Sequence, residues 1–295
     1  MTQGSTLVRW LPRVVLGAVG IAAVAGIWEA YKALGPDSGV VVGDLTVLPR
    51  TTDLAMPHIW EMFGTFADPV NSSRFADTVG SVVLDACLFT LRIAAIGWVI
   101  GVVVGLLLAL LMARFRLAEK AVLPWVVLSQ TVPLIAIAPL VRRWGSQIRI
   151  GDWVWSSENS VAVIAAYLAF FPVAVGALRG LRSPDATHVD LLHAYGVGWW
   201  RGLLKLRLPS SVPYLLPALR LAAASAVIGT VVAEVSIGLR GGVGRLVLEY
   251  AQSAGGDPAK PWAPIFGAVA VGLVAAGVVG LIGLALKPYR RGETA

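Results

Sequence analysis

Cysteine is almost absent from this sequence, since Cys87 is the only one in 295 residues. A single thiol excludes both an intrachain disulfide framework and a thiolate metal site built within one chain. The three histidines, His58, His188 and His193, form no His-Glu-x-x-His pair, and no metal-ligand cluster of carboxylates lies near them in sequence. The sequence therefore predicts no metal centre.

Charged residues are also scarce, at 14% of the chain, whereas 57% of the residues are hydrophobic. Soluble domains average about 25% charged and about 45–50% apolar residues. Apolar runs of about twenty residues recur along the chain, which is the length that a helix needs to cross a bilayer core of about 30 Å. The alternating pattern of a transmembrane β-strand does not occur. These features predict an all-α polytopic membrane protein.

Sequence motifs for nucleotide binding and nucleophilic catalysis are missing. A phosphate-binding loop requires a lysine directly after a glycine, and none of the five lysines follows one. There is no Gly-x-Ser-x-Gly motif either. We therefore expect no catalytic residue and no cofactor. The net charge of +7 comes from short basic clusters beside apolar runs, which argues against a nucleic-acid-binding surface.

Six membrane spans are predicted from the apolar runs. They are Val14–Leu34, Val79–Met112, Ala121–Val141, Ser160–Leu178, Val212–Val235 and Pro264–Leu286. We divide the chain into residues 1–77, which hold the first span and an external segment, and residues 78–295, which hold a core of five helices with a loop at 183–209.

The orientation follows from the basic residues, because cytoplasmic loops carry an excess of Lys and Arg. With the N-terminus inside, thirteen Lys and Arg residues lie inside and nine outside. An alternative interpretation of the N-terminus is a signal peptide cleaved after Ala23-Val24-Ala25. Cleavage would leave every later loop on the same side, so the functional argument is the same for both.

The loop at 183–209 has the pattern of two short helices joined by a glycine. Ser183 is suited to an N-cap, Pro184 to the first helical turn, and the helix is predicted to end near Tyr195. Gly196 supplies a left-handed stop. A second amphipathic segment follows at Val197–Lys205.

The second segment is predicted to end at Leu208-Pro209. The residues alone leave two functions open for the loop. It is either a lever that receives force from outside the membrane, or an interfacial hairpin anchored by Trp199 and Trp200.

This loop resembles the signature loop of permeases in binding-protein-dependent ABC importers. That pattern is Glu-Ala-Ala, three residues, Gly, nine residues and Ile-x-Leu-Pro. In this chain Asp190-Leu191-Leu192, Gly196 and Leu206-Arg207-Leu208-Pro209 have the same spacing. The departures are Asp for Glu, the missing alanine pair and Leu206 for Ile. The resemblance implies that Asp190, Leu191, Leu192, Gly196, Leu206, Leu208 and Pro209 couple the chain to an ATPase.

Other segments resemble the nitrate, sulfonate and taurine branch of these permeases, which also serves thiamine-precursor-like substrates. They are Leu48-Pro49, Thr131–Leu140, Phe171-Pro172, Glu234 and Gly241–Gly244. The resemblance implies a type I importer permease core in the cytoplasmic (inner) membrane, surrounded by lipid.

The same resemblance implies the partners and the transport mechanism. The partners would be two copies of an ATP-binding ABC ATPase subunit, an extracytoplasmic substrate-binding protein and a second permease, either a copy or a homologue. The chain itself would not be an enzyme. It would move a sulfonate, a nitrate-like oxyanion or a thiamine-precursor-like molecule by alternating access.

Four polar residues within the spans are candidates for the substrate pathway, because polar groups at membrane depth are costly. They are Gln130, Thr131, Arg92 and Glu234. Gln130 and Thr131 precede Pro133, which removes a helical N–H and frees a carbonyl. The alternative is that all four have structural or interfacial roles.

The rival function is that of an ion-coupled secondary transporter. It predicts inverted repeats and paired broken helices with ion ligands near the bilayer midplane. Neither is evident in the sequence. A membrane enzyme would need several catalytic groups at one depth, which are also not evident.

Overall fold

The computed structural model describes residues 6–42, 45–71 and 77–285, and most of them are helical, so the predicted all-α class is confirmed. The described chain divides into two compact units. One contains the residues up to Ser81 together with Glu249–Ala263. The other contains Val82–Leu248 and the residues from Pro264 onward.

The first unit begins with a long helix that has a small β-hairpin after it. Its elements are α1 (Thr6–Leu34), the antiparallel strands β1 (Val40–Val42) and β2 (Leu45–Leu48), and α2 (Ile59–Gly64), which continues into a 3₁₀ turn at Thr65–Ala67.

Polar contacts attach the C-terminal end of α1 to the segment that follows the hairpin. The Lys32 ammonium donates to Asp53 Oδ1 and to the carbonyl of Met56, both at 2.6 Å. The bond from Lys32 lowers the pKa of the Asp53 carboxyl. One turn earlier, the Glu29 carboxylate accepts the N–H of Ile59 at 2.8 Å. This attachment is not predictable from local sequence patterns, since its partners lie more than twenty residues apart.

The remaining elements belong wholly or mainly to the second unit. They are α3 (Val79–Arg114), α4 (Arg116–Ser129), α5 (Leu134–Gly145), β3 (Arg149–Ile150), β4 (Trp153–Val154), α6 (Ser157–Leu181), α7 (Ala186–Ala194), α8 (Trp199–Gly202), α9 (Leu208–Ile237), α10 (Val243–Gln252) and α11 (Trp262–Ala285).

Small residues let α3 and α6 pack backbone against backbone. Gly97, Gly101 and Gly105 recur every four residues on α3 and face α6. A Cβ on Gly97 would lie 2.4 Å from Cβ of Ala165, and one on Gly101 would lie 2.7 Å from Cβ of Ala169. Without a hydrophobic force between helices in lipid, such close approach supplies the packing energy.

Among the described residues, five helices are long and apolar enough to cross a membrane, and α4 with α5 adds a sixth crossing if the bent pair counts as one span. The prediction of one helix at Ala121–Val141 is therefore wrong in detail, because the two helices meet at 103°. The cause is Pro133, which has ψ 116° and lacks the N–H that would continue the helix. Proline also disfavours the helical conformation of Val132 before it.

The prediction that the second loop segment ends at Leu208-Pro209 is also wrong. The chain is helical from Trp199 to Ile237, over 39 residues, so the loop runs directly into the fifth span. A π-helical turn at Leu203–Arg207 precedes Pro209. This turn accommodates the missing N–H of Pro209, because its hydrogen bonds do not follow the α-helical register.

Candidate functional site

The helix α7 begins one residue after Asp185. The Asp185 carboxylate accepts the N–H of Thr187 at 3.3 Å, as an N-cap does. The prediction that Ser183 caps this helix is wrong. The Ser183 hydroxyl is engaged elsewhere, 2.8 Å from the carbonyl oxygen of Gly180 and 3.1 Å from that of Ser210.

The prediction that Gly196 ends this helix in a left-handed conformation is confirmed by its φ of 67°. The Gly196 N–H donates to the His193 carbonyl, and the Val197 N–H donates to the Leu192 carbonyl, both at 2.9 Å. These two bonds form a Schellman motif, in which Val197 and Leu192 also line one small pocket. The turn between α7 and α8 is therefore fixed by its own hydrogen bonds.

The second half of the loop is anchored to the helices of the core. Leu203 is 3% exposed and packs in a cluster with side chains of α3, α4 and α6. Arg207 donates to the carbonyl of Leu181 at 3.2 Å. The Arg114 guanidinium lies 5.1 Å from the centre of the Trp199 ring, in a cation–π contact. These contacts pack the second half of the loop against α3, α4 and α6.

The loop presents large apolar side chains on its surface, and no residue of α7 is buried. The exposed fractions are 53% for Leu191, 78% for Tyr195, 69% for Trp200 and 64% for Leu204. An exposed apolar surface of this kind is typical of an interaction site.

The residues of the predicted coupling pattern lie together in this loop. Asp190, Leu191, Gly196 and Leu208 are exposed, whereas Leu192, Leu206 and Pro209 are half-buried.

Gln130 and Thr131 lie in the break between α4 and α5. The amide of Gln130 donates to the Ser129 hydroxyl at 3.1 Å, and the Thr131 hydroxyl donates to the Leu128 carbonyl at 2.8 Å. The Tyr167 hydroxyl donates to the Ser129 carbonyl. The hydroxyl of Thr131 adds a second hydrogen bond to the Leu128 carbonyl, which also accepts the N–H of Thr131 at 3.0 Å. A place of Gln130 and Thr131 on the substrate pathway stays a prediction.

Arg92 and Glu234 have separate partners. The Arg92 guanidinium forms an ion pair with Glu158 at 2.6 Å and lies over the Phe89 ring. Glu234 is fully buried and accepts hydrogen bonds from Thr90 and from the N–H of Gly244, both at 2.8 Å. The structure does not assemble the four pathway candidates into one shared hydrogen-bond network, and their role in transport stays a prediction.

Thr90 was missed by the sequence analysis. Its hydroxyl is fully buried in an apolar span. The presence of a polar residue at membrane depth was the sequence signal that could have identified it. Within the described residues, no group of three or more His, Cys, Asp or Glu side chains is arranged to hold a metal ion.

Comparison with known proteins gives a family match across most of the second unit. Residues 101–289 match the family described as binding-protein-dependent transport system inner membrane component. The matched part starts within α3 and includes the whole loop.

Relatives of known name are similar over a larger part of the chain. The formylaminopyrimidine transport permease protein ThiX of Halalkalibacterium halodurans is 32% identical over 206 residues, which are 68% of this chain and 76% of the relative. The putative aliphatic sulfonates transport permease protein SsuC of Bacillus subtilis is 28% identical, covering 82% and 75%. The nitrate import permease protein NrtB of Synechococcus elongatus is 25% identical, covering 94% and 86%.

Proposed function

Because the chain belongs to the family of binding-protein-dependent transport system inner membrane components, we propose that it passes a small solute, delivered by an external binding protein, across the inner membrane by alternating access. It is a multi-pass membrane protein and an ABC importer permease, and its relatives are transport components rather than enzymes. The energy would come from ATP hydrolysis by a separate subunit.

The structure of the loop is the observation that supports this function best. Leu191 on α7, Tyr195 at the C-cap of α7 and Trp200 on α8 are exposed, and α8 continues without interruption into the fifth span. An ATPase docked on this surface would pull on a helix that itself crosses the membrane. The loop at 183–209 is therefore proposed as the ATPase-coupling loop of a five-helix core at 78–295, with residues 1–77 as an additional helix and external segment.

The family implies an ATPase partner and a binding-protein partner. We propose the usual stoichiometry of two permeases on two ATPase subunits, with lipid covering the remaining apolar surface. Closure of the ATPases would bring the two loops together and open the permeases outward. Each step is a shift between two states that ligands bind with different affinity.

The names of the three relatives described above guide the proposed substrate class. They concern formylaminopyrimidine, aliphatic sulfonates and nitrate, all of which are small. We propose a sulfonate, a nitrate-like oxyanion or a thiamine-precursor-like molecule as the substrate of this permease.

The test is reconstitution of the permease in nanodiscs with its ATPase and its binding protein. Ligands of the binding protein are identified first by thermal shift, because a bound ligand stabilises the native state. The loaded binding protein is expected to stimulate ATP hydrolysis by the complex. Solute uptake by the permease alone, driven by an ion gradient, would instead support a secondary transporter.

The proposed docking surface is tested by reversing the charge of Asp190, which is exposed on α7. Asp190→Lys is expected to weaken ATPase association, and added salt is expected to change the size of that loss. Asp152→Lys is the matched control, since Asp152 is exposed in the turn between β3 and β4. Equal ATPase association in the two variants would argue against a contact at Asp190.

A further inference from the structure

A buried hydrogen-bond network connects α3, α9 and α10. It consists of Thr90 on α3, Glu234 on α9, and the N–H groups of Val243 and Gly244 at the start of α10. The side chains of Thr90 and Glu234 have no exposed surface. Ionisable side chains buried in a membrane protein are rare, and each one is by default a candidate for a functional role.

The network caps α10 from a different helix. The carbonyl of Gly242 accepts the N–H of Leu246 at 3.1 Å, which places Gly242 at the N-cap of α10. An N-cap side chain normally accepts the N–H two residues later, but glycine has no side chain. The Glu234 carboxylate takes this place through Oε2, 2.8 Å from the N–H of Gly244.

Thr90 completes the cap with a fixed hydroxyl orientation. Its oxygen accepts the N–H of Val243 at 2.9 Å, and its single proton is donated to Glu234 Oε1 at 2.8 Å. The first two N–H groups of α10 are thereby satisfied by side chains from α3 and α9. Both oxygens of Glu234 serve as acceptors.

The glycines around the carboxylate leave room only for this arrangement. A Cβ on Gly242 would lie 2.2 Å from the carboxyl carbon of Glu234. A Cβ on Gly244 would lie 2.4 Å from the carbonyl oxygen of Val231. The start of α10 is therefore pressed against the end of α9, and neither can shift without breaking bonds in the network.

We propose that Glu234 and Thr90 are positioning residues for transport, which hold the N-terminus of α10 in place for the external binding protein. In the orientation predicted from the basic residues, the segment Gly238–Trp262 that contains this terminus lies outside. The inference rests on the proposed function, because it assigns the network to the side on which the binding protein would dock.

The local part of the proposal is tested on the permease alone in nanodiscs. Thr90→Val keeps the shape of the side chain and removes the hydroxyl, whereas Thr90→Ser keeps the hydroxyl. Hydrogen exchange of the peptide covering residues 239–252 is expected to accelerate about tenfold in Thr90→Val, because a buried N–H loses its acceptor. Thr90→Ser is expected to exchange at the wild-type rate.

Glu234→Gln is the second variant for the exchange measurement. Its amide still offers an oxygen, but its NH₂ group cannot accept, so either Thr90 or the N–H of Gly244 loses its partner. Exchange of the same peptide is expected to accelerate at least as much as in Thr90→Val. Glu158→Gln is the control, because Glu158 is a partly exposed carboxylate of α6 that pairs with Arg92.

The functional part is tested on the complex with its ATPase and binding protein. Thr90→Val is expected to raise the binding-protein concentration for half-maximal ATPase stimulation about tenfold, since one lost buried hydrogen bond is enough for a factor of this size. The basal ATPase rate is expected to stay unchanged. A purely structural defect would instead lower the basal and the maximal rates together without shifting that concentration.

The outcomes separate the inference from the proposed function. Wild-type complex that the binding protein does not stimulate would refute the proposed function. The inference would be overturned if the binding protein stimulates the wild-type complex but Thr90→Val matches the wild type in hydrogen exchange and in the half-maximal binding-protein concentration. The inference is supported if Thr90→Val shifts the half-maximal binding-protein concentration, Thr90→Ser does not, and all variants associate equally with the ATPase.

Discussion

Gly196 shows how one residue determines the shape of the loop. Its φ is 67°, and no atom lies within 4 Å of the position where a Cβ would stand. A substitution here therefore changes the backbone preference without creating a steric clash with the surroundings.

Gly196→Val is expected to insert in the membrane normally and to lower both uptake and binding-protein-stimulated ATPase activity. A β-branched residue in the left-handed region costs at least about 1–2 kcal/mol, which displaces α8 relative to α7. Uptake assays and ATPase assays at equal expression are the measurements.

Gly196→Asn is the matched variant, because asparagine tolerates the left-handed conformation better than other non-glycine residues. It is expected to retain most of the activity. If valine and asparagine had the same effect, the backbone conformation of Gly196 would not be the property that matters.

At the scale of an element, the glycines of α3 determine how closely α6 approaches. The spacing Gly97-x-x-x-Gly101-x-x-x-Gly105 is present in the sequence and is typical of close packing between membrane helices. The sequence alone does not identify the partner helix. The structure identifies it as α6, through Ala165, Ala169 and Val173.

Gly101→Ala is expected to destabilise the permease by about 1–3 kcal/mol, because the added methyl group would overlap Ala169 and the backbone of Ala166. The measurement is thermal unfolding of the purified permease in detergent, which is monitored as the loss of the monodisperse elution peak after heating.

Gly272→Ala on α11 is the control for helix propensity, since a Cβ on Gly272 would have no atom within 4 Å. It is expected to be neutral or slightly stabilising, by up to about 1 kcal/mol. Equal unfolding temperatures for both variants would show that α3 and α6 do not pack as closely as described.

The bend between α4 and α5 is another property of elements. The loss of a helical N–H at Pro133 was recognised from the sequence, but the division into two helices that meet at 103° was not. A proline removes a hydrogen bond and permits many bend angles. The angle depends on contacts such as the bond from Tyr167 on α6 to the carbonyl of Ser129.

At the scale of the whole molecule, the orientation in the membrane determines which partner meets which surface. The excess of basic residues predicts that the loop at 183–209 lies inside and the turn at Asp152 outside.

Single-cysteine labelling in a Cys87-free background tests this orientation. A membrane-impermeant maleimide is expected to label Asp152→Cys and Gln252→Cys on intact cells, because both positions are exposed. Arg201→Cys is expected to react only after the membrane is permeabilised. Labelling of position 201 from outside would reverse the orientation and with it the docking sides of both partners.

The sequence by itself determined the membrane class, the approximate positions of the spans and the left-handed turn at Gly196. These are local properties, because the length of an apolar run and the conformation of a glycine depend on neighbouring residues. Only the tertiary structure decided the partners of the buried polar groups. Thr90 and Glu234 lie 144 residues apart, and Arg92 and Glu158 lie 66 apart. Pairing over such separations follows from how the helices pack, which local sequence patterns do not encode.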